Sequence, residues 1–141
     1  IIFQKFINLL NNGMMRFSEK VVLCIVSMYC MLHILILVQL LPYHIVWGGK
    51  IESIKTIYIL EGVALVVMLF LGFIIAMKNK IIQPIFKHKT IKRILFVFAV
   101  FFILNTIGNL LAETIIEKMQ AIIALFLAIA LFKSSKEMEV L

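Results

Sequence analysis

The sequence predicts an all-α polytopic membrane protein, with four transmembrane helices arranged as two hairpins and both chain ends on the cytoplasmic side. Composition is the first reason. Of 141 residues, 64% are hydrophobic and only 15% charged. A soluble domain this small has too little interior to hide so much apolar surface, so lipid has to receive it. The second reason is length. A bilayer core of about 30 Å needs about 20 apolar residues per crossing, and such runs recur along the chain. The third is the placement of positive charge. Lys5, Arg16, Lys20, Lys78, Lys80, Lys87, Lys89, Lys92, Arg93, Lys133 and Lys136 fall on the side of the chain's start, against Lys50, Lys55 and Lys118 on the other. Basic residues concentrate in cytoplasmic loops, which predicts an N-in, C-in topology.

Along the chain, residues 1–16 come first. Phe3, Phe6, Ile7 and Leu10 share one helical face and Lys5, Asn8 and Asn11 lie elsewhere. That pattern predicts a short helix on the inner membrane surface, ended by Asn12–Gly13. The first residue is Ile, which leaves three readings open, a trimmed chain, an unusual start codon or an extension upstream, with Met14 or Met15 a sensible natural start. The first span, Val21–Leu41, is too long for a secretory signal core, and no small-x-small cleavage site precedes Pro42. An outer loop, residues 42–56, carries "PYHIVWGGKIES". Its Tyr43, His44 and Trp47 suit an aromatic belt at the interface, and Gly48–Gly49 permits a tight turn. The second span is Ile57–Met77. The basic inner loop, residues 78–93, holds six Lys and Arg residues and Pro84. Beyond setting topology, such a loop attracts anionic lipid. The third span, Ile94–Ala112, is followed by an outer turn, residues 113–118, without Gly or Pro. The fourth span, Met119–Phe132, is shorter, with a start nearer Thr114 left open, and residues 133–141 form a cytoplasmic tail. The whole chain, residues 1–141, reads as one membrane domain.

Polar residues inside apolar spans carry the functional expectation, because they are costly there and mark contacts or sites. Asn105, Asn109 and Glu113 recur every four residues and share a helical face with Gly108 and Ala112 close by. At 1.5 Å per residue, Asn105 lies about 16 Å and Asn109 about 22 Å from the inner edge. Glu61 sits about a turn below the outer edge on a face with Ala64, Met68, Gly72 and Ala76, level with Asn109 by the same count. Ala121, Ala124 and Ala128 form a small-residue stripe on the last span. Small residues admit close helix approach and polar side chains bond across it, so these faces are expected to turn inward. Asn109, Gln39, His44, Lys50 and Lys55 are the expected partners of Glu61. A carboxyl at that depth can take a proton, a cation or a ligand amine, or else snorkel outward. The candidate ligand-binding set is therefore Glu61, Asn105, Asn109, Glu113, His44 and Trp47, with Trp47 either an interface anchor or part of a lid.

Other chemistries find less support. His33 is mid-span, but His44 and His88 lie in loops on opposite sides and the chain has no Asp. Neither haem nor a metal site is expected, and His33 reads as a packed, satisfied histidine. Cys24 and Cys30, six apart on one helix, face different sides and form no CxxC pair. Thr106 is expected to bond back to its own helix. No cofactor and no catalytic residue is expected. A base-reading basic face is lacking, which argues against nucleic acid despite the net charge of +7. By size and helix count the chain resembles small four-helix bacterial inner-membrane proteins, a multi-pass location in the cell membrane, though no motif selects one family. Two functions stay open: a polar outer pocket that binds or moves a small solute or ion, or an accessory subunit that assembles with a partner membrane subunit or with itself. An enzyme acting on lipid ranks last, for want of a nucleophile–base pair or phosphate cradle.

Overall fold

A computed structural model of the chain describes residues 1, 3, 4, 7, 15–43, 47, 50 and 53–138. Among them are four long helices and no strand: α1 Phe17–Leu37, α2 Ile54–Lys78, α3 His88–Leu111 and α4 Ile115–Glu137. Their 21, 25, 24 and 23 residues rise about 31–38 Å, enough to cross a bilayer core, and all four are apolar enough to do so. Most of residues 1–14, His44 and Gly48–Gly49 lie outside the described residues, and with them the surface helix and the glycine turn expected there.

Local chemistry sets the helix ends, and it moves several from where hydropathy places them. The first span ends at Leu37 rather than Leu41. Gln39 adopts a left-handed conformation (φ 62°), its N–H donates to Ile36 O at 3.0 Å, and the Leu40 N–H reaches Leu35 O at 2.9 Å. This is a Schellman ending, which satisfies the last carbonyls of the helix. α2 closes the same way on Lys80 (φ 55°), with Lys80 N–H to Met77 O at 3.1 Å and Ile81 N–H to Ala76 O at 2.9 Å. A side chain in that conformation costs about 1–2 kcal/mol relative to glycine. α3 starts at His88, six residues before the apolar run, because its first residues keep good helix propensity while long basic side chains extend toward water.

The turn between α3 and α4 is Ala112–Thr114 rather than residues 113–118, so the last helix takes the earlier start, near Thr114, that the sequence leaves open. Thr114 supplies the missing punctuation. Its hydroxyl accepts from Glu117 N–H at 3.2 Å and donates to Glu117 Oε2 at 2.7 Å, the Thr-x-x-Glu arrangement of a helix N-terminus. α4 then runs on to Glu137, past the expected end at Phe132.

Contacts are most extensive within the hairpins α1–α2 and α3–α4, and smaller contacts of α2 with α3 and α1 with α4 close the ring. The helices alternate in direction, so Phe17, Lys78, His88 and Glu137 share one end, the terminal end; Leu37, Ile54, Leu111 and Ile115 share the other, the distal end. α3 turns Ile91, Leu95, Phe98, Phe102 and Thr106 inward, a regular stripe of three- and four-residue steps. Ala121, Ala124 and Ala128 of α4 are all buried, as the small-residue stripe predicts. On the α1–α2 side, a Cβ built on Gly72 would stand 3.5 Å from Val26 Cγ1. The perimeter is apolar too, with Val66, Leu69, Val97, Leu104 and Ile122 all exposed.

Candidate functional site

Glu61 is completely buried, so it does not snorkel. Seven residues into α2, it meets α1 and the distal loop rather than α3. Its Oε2 accepts from His33 Nδ1 at 2.5 Å, and its Oε1 accepts from Trp47 Nε1 at 2.8 Å. Side chains of His33 and Glu61 are 12% and 1% exposed. Tyr29, one turn before His33, stacks on the imidazole with ring centroids 6.2 Å apart. Each carboxylate oxygen thus has a donor, and the donors come from two different parts of the chain. In a medium without water this is what a buried charge requires.

Hydropathy alone sets His33 deeper than Glu61, because the apolar run of the first span continues to Leu41. With the helix ending at Leu37, His33 lies about 6 Å below the distal end of α1, no longer deeper than Glu61 at about 10 Å below that of α2, and the two side chains meet. Gln39, one of the partners expected for Glu61, lies past the end of α1 and is exposed, as are Lys50 and Lys55. His33 is satisfied, as expected, but by the very carboxylate that was expected to look elsewhere.

The inward polar stripe on α3 is the main correction. Asn105 is exposed on the perimeter, Glu113 is exposed in the turn, and Asn109 is half-buried. α3 seats itself through Phe98, Phe102 and Thr106, and Asn105, one residue before Thr106, is rotated by about 100° from that contact. Thr106 does bond back within its helix, Oγ1 donating to Phe102 O at 2.8 Å. Gly108 is on the outer side as well, where an added Cβ would meet nothing within 4 Å. Of the six candidate residues, only Glu61 and Trp47 come together; His44 lies outside the described residues. Cys24 and Cys30 are both free, Cys24 exposed and Cys30 half-buried.

A second buried cluster went unforeseen. At the terminal end Glu19, 2% exposed, accepts from the Lys78 ammonium and from Ser134 Oγ at 2.6 Å. Lys78 also donates to Ser134 Oγ at 3.3 Å and approaches Glu137 Oε2 at 3.6 Å, while Glu137 pairs with Arg16. α1, α2 and α4 are thereby pinned together. Sequence offered one usable signal, an acid in the first turn of α1 opposite a base in the last turn of α2. Nearby, His88 Nε2 donates to Met138 O at 2.7 Å and Ser135 Oγ to Lys92 O at 3.0 Å.

Among the described residues no three His, Cys, Asp or Glu side chains gather into a metal-binding group. A cavity of about 750 Å³ lies between α1 and α2. Its walls are almost wholly apolar, and none of Glu61, Asn105, Asn109 or Glu113 lines it. No family model, curated protein or solved structure matches the chain.

Proposed function

We propose that this protein is a non-catalytic membrane subunit that joins other transmembrane helices, from another chain or a second copy, through the outer face of α3 near the distal end. The observation that carries this reading is the exposure of Asn105. It lies six residues, about 9 Å, below the end of α3 at Leu111, where no water is at hand to satisfy its carboxamide. A helix packed on that face would supply the missing bonds, each worth about 0.6–2 kcal/mol. Gly108, one turn on and open to the outside, lets a second backbone come close, as small residues do at helix interfaces in lipid. Phe101 and Leu104 flank the amide on the same face and are exposed.

A solute-binding role has less behind it. Both oxygens of Glu61 are already taken by His33 and Trp47, so a solute would have to displace a bond for every one it made there. The test is site-specific photo-crosslinking in the membrane. A photoreactive residue replacing Leu104 should give a discrete protein adduct that Asn105→Leu abolishes, whereas one replacing Ile129 on α4 should not. Only lipid adducts from both positions, with a monodisperse single chain in mild detergent, would end the proposal.

A further inference from the structure

The cavity between α1 and α2 is a groove with a definite length. On α1 it runs from Leu23 through Ser27 and Met31 to Leu35, a rise of about 18 Å. Opposite, Gly72 and Ala76 of α2 leave it open by their small size, and Ile81 closes the terminal end. Half of a hydrocarbon core of about 30 Å is about 15 Å, so the groove is about as long as one leaflet is deep; its α2 wall runs to Ile81 and Ile82 at the terminal end, and its α1 wall starts at Leu23, about 9 Å inside that end. Its volume of about 750 Å³ suits a single small guest.

The mouth at the terminal end is positively charged. Lys20 lies on the groove's own stripe of α1, three residues before Leu23 and seven before Ser27. Lys80 directly precedes Ile81, held in place by the left-handed backbone that ends α2. Lys78, at the same end, is committed to Glu19 and Ser134. By contrast, neither Lys20 nor Lys80 has an ion-pair partner among the described residues. An apolar slot about one leaflet long, with two ammonium groups near its terminal end that have no ion-pair partner among the described residues, has the polarity of a phospholipid with a negatively charged headgroup.

We infer that the α1–α2 groove binds one anionic phospholipid, with an acyl chain along Gly72 and Ala76 and the headgroup phosphate at Lys20 and Lys80. The site is separate from the α3 face and does not depend on it.

The experiment uses the full chain in bilayers of equal parts phosphatidylglycerol and phosphatidylcholine with identical acyl chains, released for native mass spectrometry. The expected result is a retained phosphatidylglycerol preferred about thirtyfold, since each basic residue near an anionic surface contributes a factor of about five. Lys20→Ala and Lys80→Gly should each lower the preference about fivefold; the glycine suits the left-handed backbone, so it removes the charge without straining the turn. Gly72→Leu should reduce retention of both lipids by filling the slot. Should that variant fail to fold, Ala76→Leu takes its place, with helicity and unfolding midpoint as the check. Equal retention of the two lipids by the unaltered protein overturns the inference. So does undiminished retention in a folded, groove-filled variant. A protein rather than lipid adduct from a photoreactive residue at Met31 would assign the groove to a helix, and would overturn it as well.

Discussion

His33 Nδ1 stands 2.5 Å from Glu61 Oε2, joining α1 to α2 just below the distal end of the bundle. Two effects compete in what that contact is worth. Single hydrogen bonds between transmembrane helices average only about 0.6 kcal/mol, because the separated helices find other partners. A carboxylate left buried without its partner, however, costs about 3–5 kcal/mol. Glu61 is completely buried, so the second effect governs removal of its partner and the first governs removal of the pair.

His33→Leu should therefore destabilise the protein by about 3 kcal/mol or more, whereas His33→Leu combined with Glu61→Leu should cost less than the single change. Reversible unfolding in mixed micelles measures both. A double variant as unstable as the sum of its parts would show that the two side chains act independently.

Trp47 is the only tryptophan in the chain, so its fluorescence reports its bond to Glu61 without labelling. Glu61→Gln keeps a carbonyl oxygen for the indole N–H and should leave quenching by aqueous iodide close to that of the native protein. Glu61→Leu removes the acceptor and should raise quenching as the loop lifts. Equal quenching in both variants would mean that the indole is placed by the lipid interface alone.

How much of the molecule is legible in its sequence depends on contrast. The spans are, because lipid demands long apolar runs. Ala121, Ala124 and Ala128 are, because small residues stand out from Leu and Ile as contact points. The facing of α3 is not: in a membrane protein the core and the perimeter are both apolar, so hydrophobic periodicity loses the contrast it has in water. Polarity points Asn105 inward, yet packing of Phe98, Phe102 and Thr106 decides the rotation. The link from His33 to Glu61 is hidden by the four apolar or uncharged residues that follow the end of α1 and lengthen its apparent span. Thr114-x-x-Glu117 does encode a helix start, but without the Gly or Pro that usually punctuates a turn it is easily missed.

At the terminal end, Lys78→Met should be among the most damaging single changes outside the apolar core. It leaves Glu19, 2% exposed, with Ser134 as its remaining donor, at a cost of about 3–5 kcal/mol. Arg16→Ala should cost under about 1 kcal/mol, since the Arg16 side chain is 56% exposed and pairs at the surface. Thermal unfolding of the two variants in one detergent separates them. Equal losses would deny the buried pair any special role.

The cap on α4 gives a prediction of opposite sign to one on α1. Thr114→Ala removes the acceptor for Glu117 N–H and should destabilise by about 1 kcal/mol. Gln39→Gly relieves a left-handed side chain (φ 62°) and should stabilise by up to about 1 kcal/mol once the added freedom of the unfolded chain is counted. Unfolding midpoints should move in opposite directions. A fall in both would mean that the Gln39 side chain makes a contact worth more than the backbone relief.

The orientation expected from charge can be tested at two exposed lysines. Lys89 lies near the terminal end, with most of the chain's basic residues, and Lys118 near the distal end, with few. Translocating the basic end is disfavoured, so the terminal end is expected to stay in the cytoplasm. With Cys24 and Cys30 replaced by alanine, Lys118→Cys should react with a membrane-impermeant maleimide in intact cells, and Lys89→Cys only after permeabilisation. The reverse pattern would place the lysine-flanked mouth of the groove on the opposite leaflet and leave the charge distribution without a topological role.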